Sequence, residues 1–116
     1  MADWLKLDSI DLRVNISFIE KESELEIDKY SDAVFIVLAE WSGESRINCS
    51  ATVKFLNEIY SGDVVVIDND GMTPEFQEKV LGVLCHGWGE IFIVKDGKVA
   101  ILKAYGTQDL STGIKA

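Results

Sequence analysis

Ala33-Val34-Phe35-Ile36-Val37-Leu38-Ala39 runs straight into Glu40-Trp41-Ser42-Gly43-Glu44-Ser45, and the fold turns on this junction. A continuous apolar run of strand length suits a central strand covered on both faces, because neither face can then tolerate polar side chains. Beyond Gly43, the stretch Ser45 to Tyr60 carries Ile47, Val53, Leu56, Ile59 and Tyr60 near helical spacing, with Arg46, Asn48, Lys54, Asn57 and Glu58 between them. Ser61-Gly62-Asp63 stops that helix.

Working outward, Val64 to Ile67 is a second fully apolar strand, ending at Asp68. Thr73 and Pro74 then open a helix, since Thr caps free amides and Pro at the first helical position loses no hydrogen bond. This helix is expected to run to Leu81, to bury Phe76 and Val80, and to end at Gly82. Leu84-Cys85-His86-Gly87-Trp88-Gly89-Glu90 reads as a loop. Ile91 to Val94 and Val99 to Ala104 flank Asp96-Gly97, a strong hairpin signal. Thr107 to Ala116 is expected as a short terminal helix. Towards the N-terminus, Ile10, Leu12, Val14, Ile16 and Phe18 alternate with polar residues, which predicts a strand with one buried face. Ile19 to Tyr30 fits neither period, so a short helix and a second extended segment both stay open there.

The order is thus β, an unassigned segment, β, α, β, α, then a hairpin and α. Strands joined through a helix pair in parallel, whereas a closing hairpin adds antiparallel edges. The expected fold is α/β: a central mixed β-sheet flanked by helices on both faces, built by residues 1–116 as one domain.

Composition narrows the function. The chain has 116 residues, 47% of them apolar, enough for one ordinary core. Lys and Arg number 11 against 20 Asp and Glu, a net charge of -9, which argues against nucleic acid or an anionic membrane as partner. The acidic run Glu20, Glu22, Glu24, Glu26 and Asp28 reads as a solvated face, with docking to a basic partner as the alternative. No basic patch precedes an apolar segment at the N-terminus, and no apolar run approaches the roughly 18 residues that span a bilayer. A cytoplasmic protein is expected. Two cysteines, Cys49 and Cys85, are too few for a disulfide scaffold and are expected as free thiols in a reducing compartment.

From Ala33 to Asp109 the chain resembles the thioredoxin family. Ala39-Glu40-Trp41 followed by Gly43 matches the family's Ala-Glu-Trp-Cys-Gly-Pro-Cys loop at the end of an apolar strand. Val65-Val66-Ile67-Asp68 looks like its third strand, and Ile91 to Lys98 like its penultimate strand and hairpin. The resemblance implies a thioredoxin-like fold, and its departures bear on activity. Ser42 stands where the family has its nucleophilic cysteine and Ser45 where it has the resolving one. Dithiol chemistry needs a thiolate of lowered pKa and a second thiol to resolve the mixed disulfide, and a hydroxyl does neither. Glu44 replaces the motif's proline; its charge suits a helix N-terminus but would oppose a thiolate there. The family's buried carboxylate falls at Ile36, so no proton acceptor is expected to remain. Pro74 is the only proline, so the Leu84–Glu90 loop lacks the cis-proline that helps the family receive extended peptides.

Other candidates are weaker. Cys49 lies one helical turn beyond Ser45 and is expected to face the core, while the Cys85 loop should sit beside Ser42. Cys85 and His86 are adjacent in sequence, an arrangement that points side chains apart rather than forming a nucleophile–base pair. Asp68-Asn69-Asp70-Gly71 fails as a calcium loop: with Gly71 in its sixth position, Val66 and Gln77 fall where anchoring carboxylates are needed. No metal or cofactor is expected. Trp41 and Trp88 could flank a groove as rigid aromatic anchors, or simply pack over the sheet edge.

The leading expectation is a redox-inactive domain, not an enzyme, that works through protein contacts or as a structural module. Its surface would be formed by Trp41, Ser42, Gly43, Glu44, Ser45, Trp88 and Gly89, with another protein or a second copy as partner. The alternative is a residual monothiol thiol-disulfide oxidoreductase using Cys85 or Cys49.

Overall fold

A computed structural model describes residues 13–39, 41–82, 84–85 and 88–103. Its strands are β1 (Asn15–Ile19), β2 (Asp32–Leu38), β3 (Asp63–Asp68), β4 (Trp88–Lys95) and β5 (Lys98–Lys103). Helix α1 (Gly43–Ile59) joins β2 to β3, and α2 (Pro74–Phe76) follows β3. The sheet order is β1-β3-β2-β4-β5, with β3 parallel to β1 and β2, and the β4–β5 hairpin antiparallel to β2. This is the mixed sheet that the sequence predicts.

β2 sits in the middle, and its apolar run serves both faces. Val34, Ile36 and Leu38 pack with Cys49, Val53 and Leu56 of α1 on one side. Ala33, Phe35 and Val37 pack with Leu25, Met72, Leu81 and Cys85 on the other. Burying so continuous a run is the main source of stability, at about 25 cal/mol per Å² of apolar surface removed from water.

Several elements differ from expectation. The first strand begins at Asn15 because its partner β3 begins at Asp63. Upstream, the side chain of Asn57 replaces the ladder, its Oδ1 accepting the N–H groups of Arg13 at 2.6 Å and Val14 at 3.3 Å. Ile10 and Leu12 lie outside the described residues, as does the expected helix Thr107–Ala116. The unassigned segment is neither helix nor strand but two 3-10 turns, Glu22–Glu24 and Ile27–Lys29. Glu24 Oε1 accepts from the backbone of Glu20 and Lys21, reaching back in a capping box that closes the first of these turns. Leu25 is buried there, and Tyr30 meets Phe35 edge-on with ring centroids 5.3 Å apart.

The second helix starts as expected, with Thr73 Oγ1 accepting from Phe76 N–H, but it widens into a π turn over Gln77–Leu81. Gln77 and Leu81 are therefore the buried residues, while Phe76 and Val80 are only half-buried. The wider turn brings Gln77 inward, and Gly82 closes it in a left-handed conformation. The hairpin turn has Asp96 at φ 53° and Gly97 at φ 75°, the positive pair that matches the twist of the flanking strands.

The expected Leu84–Glu90 loop is also corrected. Trp88, Gly89 and Glu90 belong to β4, where Val37 pairs with Glu90 and Leu38 with Trp88, leaving Gly89 as the extra residue of a β-bulge.

Candidate functional site

The C-terminal end of β2, the N-terminus of α1 and the start of β4 converge at one end of the sheet. Leu38 is register partner to Trp88, so the turn beyond β2 lies next to the Gly89 bulge. The register thus sets the start of β4 at the end of β2 from which the chain runs on to Trp41–Ser45. Trp41 is 75% exposed and does not pack over the sheet edge.

Ser42 occupies the N-cap of α1. Its N–H donates to Ala39 O at 2.9 Å, and its carbonyl accepts from Arg46 N–H at 3.1 Å to close the first helical bond. Serine is among the residues favoured at this position. Gly43, Glu44 and Ser45 form the first turn, and Glu44 carries its negative charge where the helix dipole favours it.

The two thiols lie elsewhere. Cys49 is fully buried on the α1 face of the sheet, and burial pushes its pKa up to about 12. Cys85 is buried on the opposite face, and its pKa is also pushed up to about 12, first by burial and then by the charge of Glu90. The sheet separates them. Cys85 belongs to the packing beneath the π turn rather than to the exposed surface around Trp41. His86 lies outside the described residues.

Three buried polar residues are not apparent from sequence reasoning. Glu90 is the buried carboxylate among the described residues, only 6% exposed, and its charge helps to raise the pKa of Cys85. Ile36, where the resemblance places the family's carboxylate, is fully buried apolar packing. Extending the strand pattern by two residues would have put Glu90 on the inward face with Phe92. Gln77 accepts the N–H of Cys85 through Oε1 and donates through Nε2 to Asn69 Oδ1, both at 2.9 Å. Asn57, also buried, holds the entry to β1.

Asp68 accepts from Asp70 N–H at 3.1 Å and leads into the 3-10 turn Asn69–Gly71, a strand end and turn as expected. Among the described residues no three His, Cys, Asp or Glu side chains are grouped to hold a metal, and no helix is long and apolar enough to cross a membrane.

A sheet of this order, with a helix starting at the end of the central strand and a bulge opening β4 beside it, defines the thioredoxin fold. Solved structures agree. Oxidised thioredoxin from Plasmodium falciparum is 16% identical, with a TM-score of 0.65 over 87% of this chain and 96% of that one. Thioredoxin from Schistosoma mansoni is 19% identical, with a TM-score of 0.64 over 90% and 97%. A chain solved in work on thiol resolution in yeast mitochondrial 1-Cys peroxiredoxin is 20% identical, with a TM-score of 0.66 over 87% and 94%. No family model and no curated protein sequence matches the chain. The shared property is the fold, and function rests on the residues placed upon it.

Proposed function

We propose that the chain is a thioredoxin-fold protein without dithiol-disulfide activity, acting through protein contacts at the surface of Trp41, Ser42, Gly43, Glu44, Ser45, Trp88 and Gly89. The observation that carries this reading is that hydroxyls occupy both redox positions while the only two thiols are buried on opposite faces of the sheet. A thiol with its pKa raised to about 12 is almost wholly protonated near neutral pH and is a poor nucleophile. The same observation weighs against a monothiol oxidoreductase at either cysteine. An exposed tryptophan is the type of residue that anchors a protein interface. A reducing compartment such as the cytoplasm would keep both thiols free.

The test is reduction of a disulfide-bonded protein substrate by the wild type and by a Cys49→Ser, Cys85→Ser double variant. Background turnover from both is the expected result. Turnover present in the wild type and absent from the variant would replace this reading with the monothiol one.

A further inference from the structure

One flank of α1 forms a shallow groove of about 530 Å³, lined by Gly43, Arg46, Ile47, Ser50, Ala51 and Lys54. The spacing places these residues on one side of three helical turns, away from Cys49, Val53 and Leu56, which face the core. Ile47 is 70% exposed, so the groove offers an apolar side chain to solvent among small and basic neighbours. Ser50 and Ala51 are small, so another backbone can come close. The Arg46 guanidinium lies over Gly43, with Nη2 3.7 Å from where a Cβ would stand.

The charge of the groove lining opposes that of the chain. Acidic residues outnumber basic ones by 20 to 11, yet the lining holds two cations and no carboxylate. Lys54 makes no ion pair among the described residues. Arg46 and Lys54 stand eight residues apart, roughly 12 Å along the axis, with Ile47, Ser50 and Ala51 between them.

We propose that this flank docks an amphipathic acidic segment of another protein. Its two carboxylates, about two helical turns apart, meet Arg46 and Lys54, and an apolar side chain between them covers Ile47. Charge complementarity selects this occupant. A second copy presenting the same flank would bring Arg46 and Lys54 against their own equivalents, and a nucleic acid would face a net charge of -9 behind only two lining cations. The proposal rests on the preceding functional reading in one respect only, that the chain works by contact.

Selection of displayed random peptides of about 16 residues on the full-length protein tests it. The expected winners are net acidic, with paired carboxylates flanking an apolar residue. Their affinity, read by fluorescence anisotropy, should fall about tenfold or more in Ile47→Glu and in Lys54→Glu, and be unchanged in Lys79→Glu on the other side of the sheet. Replacing one peptide carboxylate by lysine should restore binding to Lys54→Glu, which separates charge pairing from general loss of structure. Failure to enrich an acidic class, or binding indifferent to both α1 substitutions, overturns the proposal. So does a wild-type dimer dissociated by Ile47→Glu, which would assign the flank to a second copy. Peptides lost in Trp41→Ala but retained in both α1 variants would sink the groove and leave the functional reading standing. Disulfide turnover with intact groove binding would do the reverse.

Discussion

The side-chain carbonyl of Gln77 accepts the backbone N–H of Cys85 at 2.9 Å from within the core, while its amide donates to Asn69 Oδ1 at the same distance. One side chain thereby ties the turn after β3, the π turn and the segment leading to β4. Gln77→Ala leaves both partners without this contact and opens a cavity. An unsatisfied buried polar group costs about 1–3 kcal/mol, so the expected loss of stability is about 2–4 kcal/mol once the cavity is included. Urea unfolding measures it. Gln77→Glu should not restore stability, because a carboxylate cannot donate to Asn69 and is costly to bury. A midpoint unchanged in Gln77→Ala would mean that the network contributes nothing.

The buried thiols make stability depend on alkaline pH in a definite direction. Each ionises near 9.0 when free of its surroundings and near 12 in the folded chain. Between those values the unfolded chain has released protons that the folded chain keeps, so rising pH favours unfolding. The thiol contribution is fully present below pH 9 and is lost as pH rises toward 12. Tyr60 acts in the same sense from 10.0 upward, its pKa raised to about 12 first by burial and then by Asp32 and Asp63. Cys49→Ala should have a shallower decline of unfolding free energy above pH 9 than the wild type. Equal slopes would show that Cys49 ionises in the folded protein as easily as in the unfolded one.

The junction from Ala33 to Ser45 was legible because hydrophobic pattern and topology agree there: a strand buried on both faces has no alternative to a continuous apolar run. The hairpin was legible for a similar reason, since Asp96 and Gly97 suit the positive φ values that the turn requires. Glu22–Lys29 was not, because its turns are fixed by tertiary contact rather than period. Leu25 and Tyr30 cover the sheet, and Glu22 Oε1 accepts Thr73 N–H at 2.8 Å from the far side of the sequence. The π turn was invisible because helical spacing alone cannot distinguish a regular turn from a widened one. At the candidate site, the register of β4 against β2 puts Trp88 opposite Leu38, three residues before Trp41. Glu90 was hidden by treating the bulged start of β4 as loop.

Gly71 offers a test of how closely the Glu20–Glu24 segment packs on the turn after β3. A Cβ at this position would overlap the backbone carbonyl oxygen and carbon of Glu20, atoms with no rotamer through which to withdraw. Gly71→Ala should therefore displace this segment and destabilise by about 2 kcal/mol or more, well beyond an ordinary surface substitution. Gly82→Ala makes a useful comparison: a Cβ there meets no atom within 4 Å, so its smaller cost would come only from the φ of 84°. Equal destabilisation by the two substitutions would argue against close packing at Glu20.

Position and chemistry come apart at Ser42. The residue stands at the N-cap of a 17-residue helix, where the dipole and free amides favour an anion. In Ser42→Cys, the new thiol should ionise below the ordinary value of about 8.5, whereas Cys49 and Cys85 remain near 12. At pH near 7.5 the difference in thiolate fraction is about four powers of ten, and lower intrinsic nucleophilicity takes back about half of the exponent. Alkylation by iodoacetamide should consequently be about 100-fold faster at the introduced thiol than at either native one, before burial adds its own protection. Adding Glu44→Gln should lower the pKa of the introduced thiol further by removing a like charge from the same helical turn. Peptide mapping after timed alkylation measures both effects. Slow alkylation of the introduced thiol would place the helix N-terminus out of reach, and with it the surface through which the chain is proposed to act.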